Sequence, residues 1–367
     1  MDFLEYASEE KEKVDSKLRK FFSNLIRDEK DFYLKDFFVR LRDFVNPKTV
    51  GGGPAKRIRP QVMIYTFFGI ASDEKIEQHL EHIRKLCLSI ELLHNASIIH
   101  DDVVDQDPVR RGLPTFHRSL SKHFKNRTEN NYIDSSQWGN GVAIHGGDIC
   151  AFLGSSIIME SNFKNMIEYA AMREYNHGFN RIMRGKIIEH YLMTNSLSNS
   201  TLEDYLMMAE AKTSTQFETA ASIGAICADA RISQLNPLRK AMNYLGVAYH
   251  IKNDIRDTFE EQKRNIILKK RNILIISAYK NAKPGDKAKI DDIFSKSEEM
   301  TLEESNVIRE IIKESGALDF AKVYAQNQIA QAKGQLEHIY PGFREQTYTY
   351  FDKLFEFSLQ TPISHRI

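Results

Sequence analysis

The chain has 367 residues, with 51 Lys and Arg against 50 Asp and Glu and a formal net charge of +1. That balance excludes the broad basic surface of a general nucleic-acid binder. Its 42% hydrophobic content excludes disorder as the dominant state and permits a substantial core, in one large domain or two ordinary ones.

In chain order, the opening MDFLEYASEE is acidic and has neither the basic nor the apolar region of a signal peptide. A first break falls at NPKTVGGGPA, residues 46–55, followed by the cations Lys56, Arg57 and Arg59. From Ile83 the positions Ile83, Leu86, Cys87, Ile90, Leu93 and Ser97 form one helical face that arrives at Asp101 and Asp105. The polar stretch 121–141 reads as a break and as a surface insertion. No proline occurs between Pro114 and Pro237, which permits long helices. Capping boxes, Ser200 with Glu203 and Thr301 with Glu304, mark two helix starts, and further breaks are expected at LNP (ending in Pro237) and KPGD (283–286).

Spacings of three and four dominate and alternation of period two is scarce, so the expected class is all-α, a single domain over 1–367. No repeat of 20 to 50 residues points to a solenoid. No uninterrupted apolar run approaches the ~18 residues of a membrane span. Three widely spaced cysteines, Cys87, Cys150 and Cys227, suit a reducing compartment, and a cytoplasmic protein is expected.

The sharpest chemical feature is HDDVVDQDPVRRG, residues 100–112. Asp101 and Asp105 lie one helical turn apart, with Asp102 rotated by about 100°. Hard divalent cations take oxygen ligands, and Mg²⁺ is commonly held by one or two carboxylates plus substrate phosphates. With Arg110 and Arg111 close behind, the cluster reads as a metal–diphosphate site; alone, it reads equally as a solvated acidic helix end. The glycine run 51–53 would let backbone approach an anion that Lys56, Arg57 and Arg59 neutralise, and the bland alternative is a loop with a basic turn. His94 stands two turns before Asp101, as a core histidine or a donor to phosphate. Further on, GVAYHIKNDIRDTF (246–259) places His250 with Asp254 and Asn253 with Asp257 at i, i+4, a second acidic turn or an ordinary amphipathic surface.

With these segments in order, the chain resembles the trans-isoprenyl diphosphate synthases, or polyprenyl synthetases, similar to the geranylgeranyl diphosphate synthases. The resemblance rests on GPAKRIRP, ELLHNASIIHDDVVDQDPVRRGLPTFH, HGGDICA, RGKIIE, AKTSTQFETAASIGA and GVAYHIKNDIRD. It implies a large helical bundle with a deep central cavity (isoprenoid synthase-like), Mg²⁺ as cofactor, a homodimer, and isopentenyl and allylic prenyl diphosphates as substrates. Residue by residue it implies an isopentenyl diphosphate site of Lys56, Arg59, His94 and Arg111. The allylic diphosphate site it implies is Arg110, Lys212, Thr213 and Lys270. Metal ligands would be Asp101 and Asp105, with Asp102 beside them, and on the second motif Asn253, Asp254 and Asp257. His250 would stand next to the reacting allylic group. Ala96 and Ser97 take the positions of the elongation floor, where small side chains favour products of twenty carbons or more.

The chain departs from the family pattern at Asn253 (usually aspartate), His250 (usually glutamine), Lys186 and Glu189 (usually glutamine and aspartate), and in NILIISA, which lacks the usual threonine and proline. A neutral amide is a poorer Mg²⁺ ligand than a carboxylate, and next to an allylic cation His250 is expected neutral. The departures keep a second reading open, a catalytically weakened or regulatory subunit of a heteromeric synthase. A third, a terpene cyclase or head-to-head prenyltransferase, sits poorly with a complete isopentenyl diphosphate site.

Overall fold

The computed structural model describes residues 3–127, 132–260 and 266–360. Where one domain is expected, the helices group into two compact units: the described residues of Met1–Asn176 with Ser222–Ala230, and of His177–Ala221 with Arg231–Ile367.

The first unit holds α1 (Phe3–Tyr6), α2 (Ser8–Asp28), α3 (Phe32–Val45), α4 (Ile58–Ile70), α5 (Asp73–Val104), β1 (Val109–Arg110), β2 (Leu113–Pro114), α6 (Phe116–Arg127), α7 (Ser135–Met159) and the start of α8 (Asn165–Thr194). The 32-residue α5, about 48 Å long, is its axis. Ser72 caps it by accepting from the Lys75 N–H, and Asp73 and Glu74 suit the positive N-terminus. Every position of the face expected from Ile83 to Ser97 is buried. Small residues on α7 let it close on α5: a Cβ on Gly147 would lie 2.3 Å from His100 Nε2, and one on Gly154 would meet the Ser89 carbonyl at 2.9 Å.

One expectation changes here. The stretch 121–141 carries the end of α6 and the start of α7, capped at Asp134; its residues 128–131 lie outside the described residues. α7 is long and apolar enough to cross a membrane by length and composition alone, as a core helix can be. Asp148 interrupts it, and it packs along α5 and α6.

The second unit holds the rest of α8, then α9 (Leu202–Ala209), a π turn (Glu210–Ser214), α10 (Thr215–Cys227, its last residues in the first unit), α11 (Ile232–Phe259), α12 (Ile273–Asn281), α13 (Pro284–Ser295), α14 (Leu302–Glu314), α15 (Ala317–Glu337) and α16 (Glu345–Leu359). The all-α class holds; the only strands among the described residues form the two-residue hairpin β1–β2. The box at Thr301 and Glu304 forms. The cap expected at Ser200 is instead Thr201, which accepts from the Asp204 N–H. Pro237 lies inside α11, not at a break: so near the helix start its missing N–H removes one backbone bond. Buried Lys252 anchors α11 to α16, donating to the Phe357 carbonyl with its ammonium 3.6 Å from that ring's centroid.

Candidate active site

In the first unit, the loop before α4 is built around Arg57. Its backbone is left-handed (φ 53°), and its buried guanidinium donates to Asp15 (2.7 Å), Glu91 and the Val45 carbonyl (2.9 Å). Of the three cations read as anion partners, Arg57 is thus consumed internally, while Lys56 is exposed. The Arg59 guanidinium lies 3.2 Å from His94 Nε2, so one cation after the glycine loop meets the α5 histidine.

The hairpin supplies the next cations. Arg111 and Gly112 both have positive φ (55° and 77°) between strands paired Arg110 to Leu113, the signature of a two-residue type I′ turn. The Gly53 N–H donates to the Arg111 carbonyl at 2.8 Å, which pins the glycine loop to the hairpin. Arg110 turns back onto α5 and grips the fully buried Asp102 through Nε (2.8 and 2.9 Å) and Nη2. Burial raises the Asp102 carboxyl to about 6, against the pull of Arg110, so it is a carboxylate at neutral pH. Asp102 therefore positions Arg110, and the half-exposed carboxylates are Asp101 and Asp105. Arg111 donates to the Phe44 carbonyl at 3.4 Å, and burial lowers its pKa to about 10, leaving it cationic. Ala96 and Ser97 are buried on α5, with Ser97 Oγ donating to the His94 carbonyl.

In the second unit, Lys212 and Thr213 lie on the π turn, an irregularity frequent at functional sites. A Cβ on Gly185 would lie 2.6 Å from the Lys212 backbone nitrogen, so the RGK segment of α8 needs glycine to seat this turn. Glu189, one turn further, pairs with Lys212 (2.6 Å) and Lys270 (3.7 Å). Thr213 Oγ1 is 2.6 Å from His250 Nδ1. Burial, reinforced by Lys212, lowers the His250 pKa to about 4, so the imidazole is neutral. Asp254 is buried and accepts from the Tyr205 hydroxyl at 2.6 Å, with His250 Nε2 at 3.8 Å. Burial raises its carboxyl to about 7 despite the Tyr205 bond. Asn253 and Asp257 are half-exposed, and Asp257 pairs with Arg256 at 2.7 Å.

Among the described residues no three His, Cys, Asp or Glu side chains form a ready metal cage. Asp101 and Asp105 nonetheless fit Mg²⁺, which is commonly held by one or two carboxylates with phosphates completing its shell. Asp257 and Asn253 offer oxygen donors on the second motif; Asp254, buried and engaged by Tyr205, is suited to support them. Two members of these clusters went unselected in the sequence reading. Glu189 had its signal in the RGKIIE departure. Tyr205 had none, because the π turn shifts the helical phase between it and Lys212. Tyr205→Phe should cost about 1–3 kcal/mol, the range for a buried polar group that loses its partner, read as a shift in the denaturant midpoint.

A family model described as polyprenyl synthetase matches residues 47–345, and the chain belongs to that family, a family of prenyltransferases. It is similar to the geranylgeranyl diphosphate synthase of Methanosarcina mazei, 26% identical over 289 residues, 77% of this chain and 79% of that protein. It is also similar to the geranylfarnesyl diphosphate synthase of Aeropyrum pernix, 27% identical over 323 residues, 84% and 92% of the two chains. Among solved structures, geranylgeranyl pyrophosphate synthase from Corynebacterium glutamicum, complexed with isoprenyl diphosphate and magnesium, matches with a TM-score of 0.85 at 21% identity. That match covers 98% of this chain and 100% of the other, and it supports the all-α fold.

Proposed function

We propose that the chain catalyses the Mg²⁺-dependent head-to-tail condensation of isopentenyl diphosphate with an allylic prenyl diphosphate, giving geranylgeranyl or longer trans-prenyl diphosphate. The observation that carries this reading is the glycine loop fastened to the RRG hairpin, with Arg59 meeting His94. That arrangement supports a homoallylic diphosphate site, for which a cyclase has no use.

In this reading Lys56, Arg59, His94 and Arg111 bind isopentenyl diphosphate, and Arg110, Lys212, Thr213 and Lys270 bind the allylic diphosphate. Asp101 and Asp105 of the first unit, and Asn253 and Asp257 of the second, are the side chains that would hold Mg²⁺, which would supply charge stabilisation for a departing diphosphate. The allylic carbon–oxygen bond breaks and its electron pair leaves with the diphosphate. The isopentenyl double bond attacks the allylic carbon, and loss of a proton to the released diphosphate completes a five-carbon extension. Cationic side chains stabilise the leaving charge, and neutral His250 adds no repulsion to the allylic cation.

Small, buried Ala96 and Ser97 support products of twenty carbons or more. A homodimer is supported by the apolar side chains that α7 leaves exposed, Ile144, Phe152 and Met159. The three cysteines are free thiols, which supports a cytoplasmic site of action.

The test is purified protein with Mg²⁺, radiolabelled isopentenyl diphosphate and farnesyl or geranylgeranyl diphosphate, the products resolved by chain length. Absence of incorporation with every primer sinks the synthase reading and favours the weakened subunit, which Asn253 motivates. Asn253→Asp should lower the Mg²⁺ concentration for half-maximal rate or raise turnover, because it restores a carboxylate. Loss of activity would show the amide to be required.

A further inference from the structure

Beside the Arg111 hairpin, within the first unit, lies a cleft of about 210 Å³ lined by Arg40, Phe44, Arg111, Leu113, Phe116 and Ser119 among others. Lys56, Arg59 and His94 are not among its lining residues. Its charge is net positive. Arg110, on its wall, is matched by Asp102, and Asp43 is matched by Arg42 at 2.8 Å and by the Thr49 hydroxyl at 3.1 Å. Arg40 shares Asp36 with His123 (3.1 and 2.9 Å). Among the described residues the Arg111 guanidinium, with five N–H donors, makes one long hydrogen bond, to the Phe44 carbonyl at 3.4 Å. Opposite this polar end, the rings of Phe44 and Phe116 pack at 5.5 Å, and Leu113 extends the apolar wall.

We propose that this cleft is a second anion site, taking a five-carbon prenyl phosphate or diphosphate, and that its occupant competes with the homoallylic site for Arg111. The volume is below the roughly 300 Å³ at which drug-sized pockets begin, so one phosphate head with a short branched tail suits it and a long prenyl chain does not. Arg111 and Arg40 provide the donors, and the aromatic wall takes the tail. Because Arg111 also serves the homoallylic diphosphate, filling the cleft weakens productive binding, and excess isopentenyl diphosphate inhibits. The inhibition rests on the function proposed above; anion binding does not.

The test is calorimetric titration with isopentenyl diphosphate, without Mg²⁺ or allylic primer, on the wild type, Arg40→Ala and Ser119→Phe, each checked for folding by thermal melting. Two sites per chain are expected in the wild type. Arg40→Ala should weaken the second by about 10-fold or more, as loss of a charge-assisted hydrogen bond does, and Ser119→Phe, which fills the cleft without touching a charge, should remove it. In turnover assays the wild-type rate should fall at high isopentenyl diphosphate, whereas both variants should keep the rate at low concentration and lose the fall. A single wild-type site, or two sites that survive both substitutions, overturns the proposal. Two wild-type sites without turnover on any primer leave the cleft an anion site and sink the synthase reading instead.

Discussion

Asp101→Ala is expected to lower turnover by about three orders of magnitude while leaving the melting temperature within a few degrees of the wild type. Asp101 is half-exposed near the end of α5, and the α5 backbone bond there, Asp105 N–H to the Asp101 carbonyl at 2.8 Å, does not involve its side chain. Its half-exposed carboxylate is far less desolvated than that of the fully buried Asp102. Charge stabilisation of the leaving diphosphate is worth several kcal/mol, and each ~1.4 kcal/mol is a tenfold change in rate. Asp102→Ala should behave differently. It uncouples Arg110 from α5, so stability should fall along with activity, and the two variants separate in a denaturant titration. An Asp101→Ala enzyme that keeps a tenth or more of wild-type turnover would remove this carboxylate from the mechanism.

The elements written in local periodicity were legible. The face from Ile83 to Ser97 announces α5 and delivers Asp101 and Asp105 one turn apart, and the GGG run and KPGD mark real interruptions. What escaped depends on contacts distant in sequence or on irregular backbone. Asp15 and Glu91 lie 42 and 34 residues from Arg57, so nothing near AKRIRP shows that the middle cation is spent on them. Two-residue strands are too short to display alternation, so the hairpin that turns Arg110 towards Asp102 left no trace beyond RRG. The π turn breaks the 3.6-residue phase, which hid Tyr205. Pro237 misled because the cost of a proline depends on its depth in a helix, and the helix start at Ile232 carries no strong cap signal.

The Arg57 network carries the largest stability effect. Arg57, Asp15 and Glu91 are 3%, 1% and 2% exposed, so the three are paired in a desolvated site. Arg57→Ala leaves Asp15 with Lys11 (3.0 Å) and Glu91 with the Asn95 amide (3.0 Å), and breaking a buried pair from one side costs about 3–5 kcal/mol. Backbone strain supplies an internal control. At φ 53° any L-residue is penalised by about 1–2 kcal/mol that glycine escapes, so Arg57→Gly should be the more stable of the two variants by about 1 kcal/mol. Function should follow, since Arg57 sets the start of α4 and thereby the placement of Lys56 and Arg59: the Arg57→Gly enzyme should show a raised KM for isopentenyl diphosphate with its KM for the allylic primer nearly unchanged. Urea unfolding midpoints within about 0.5 kcal/mol of wild type for both variants would show that the network does not hold this loop.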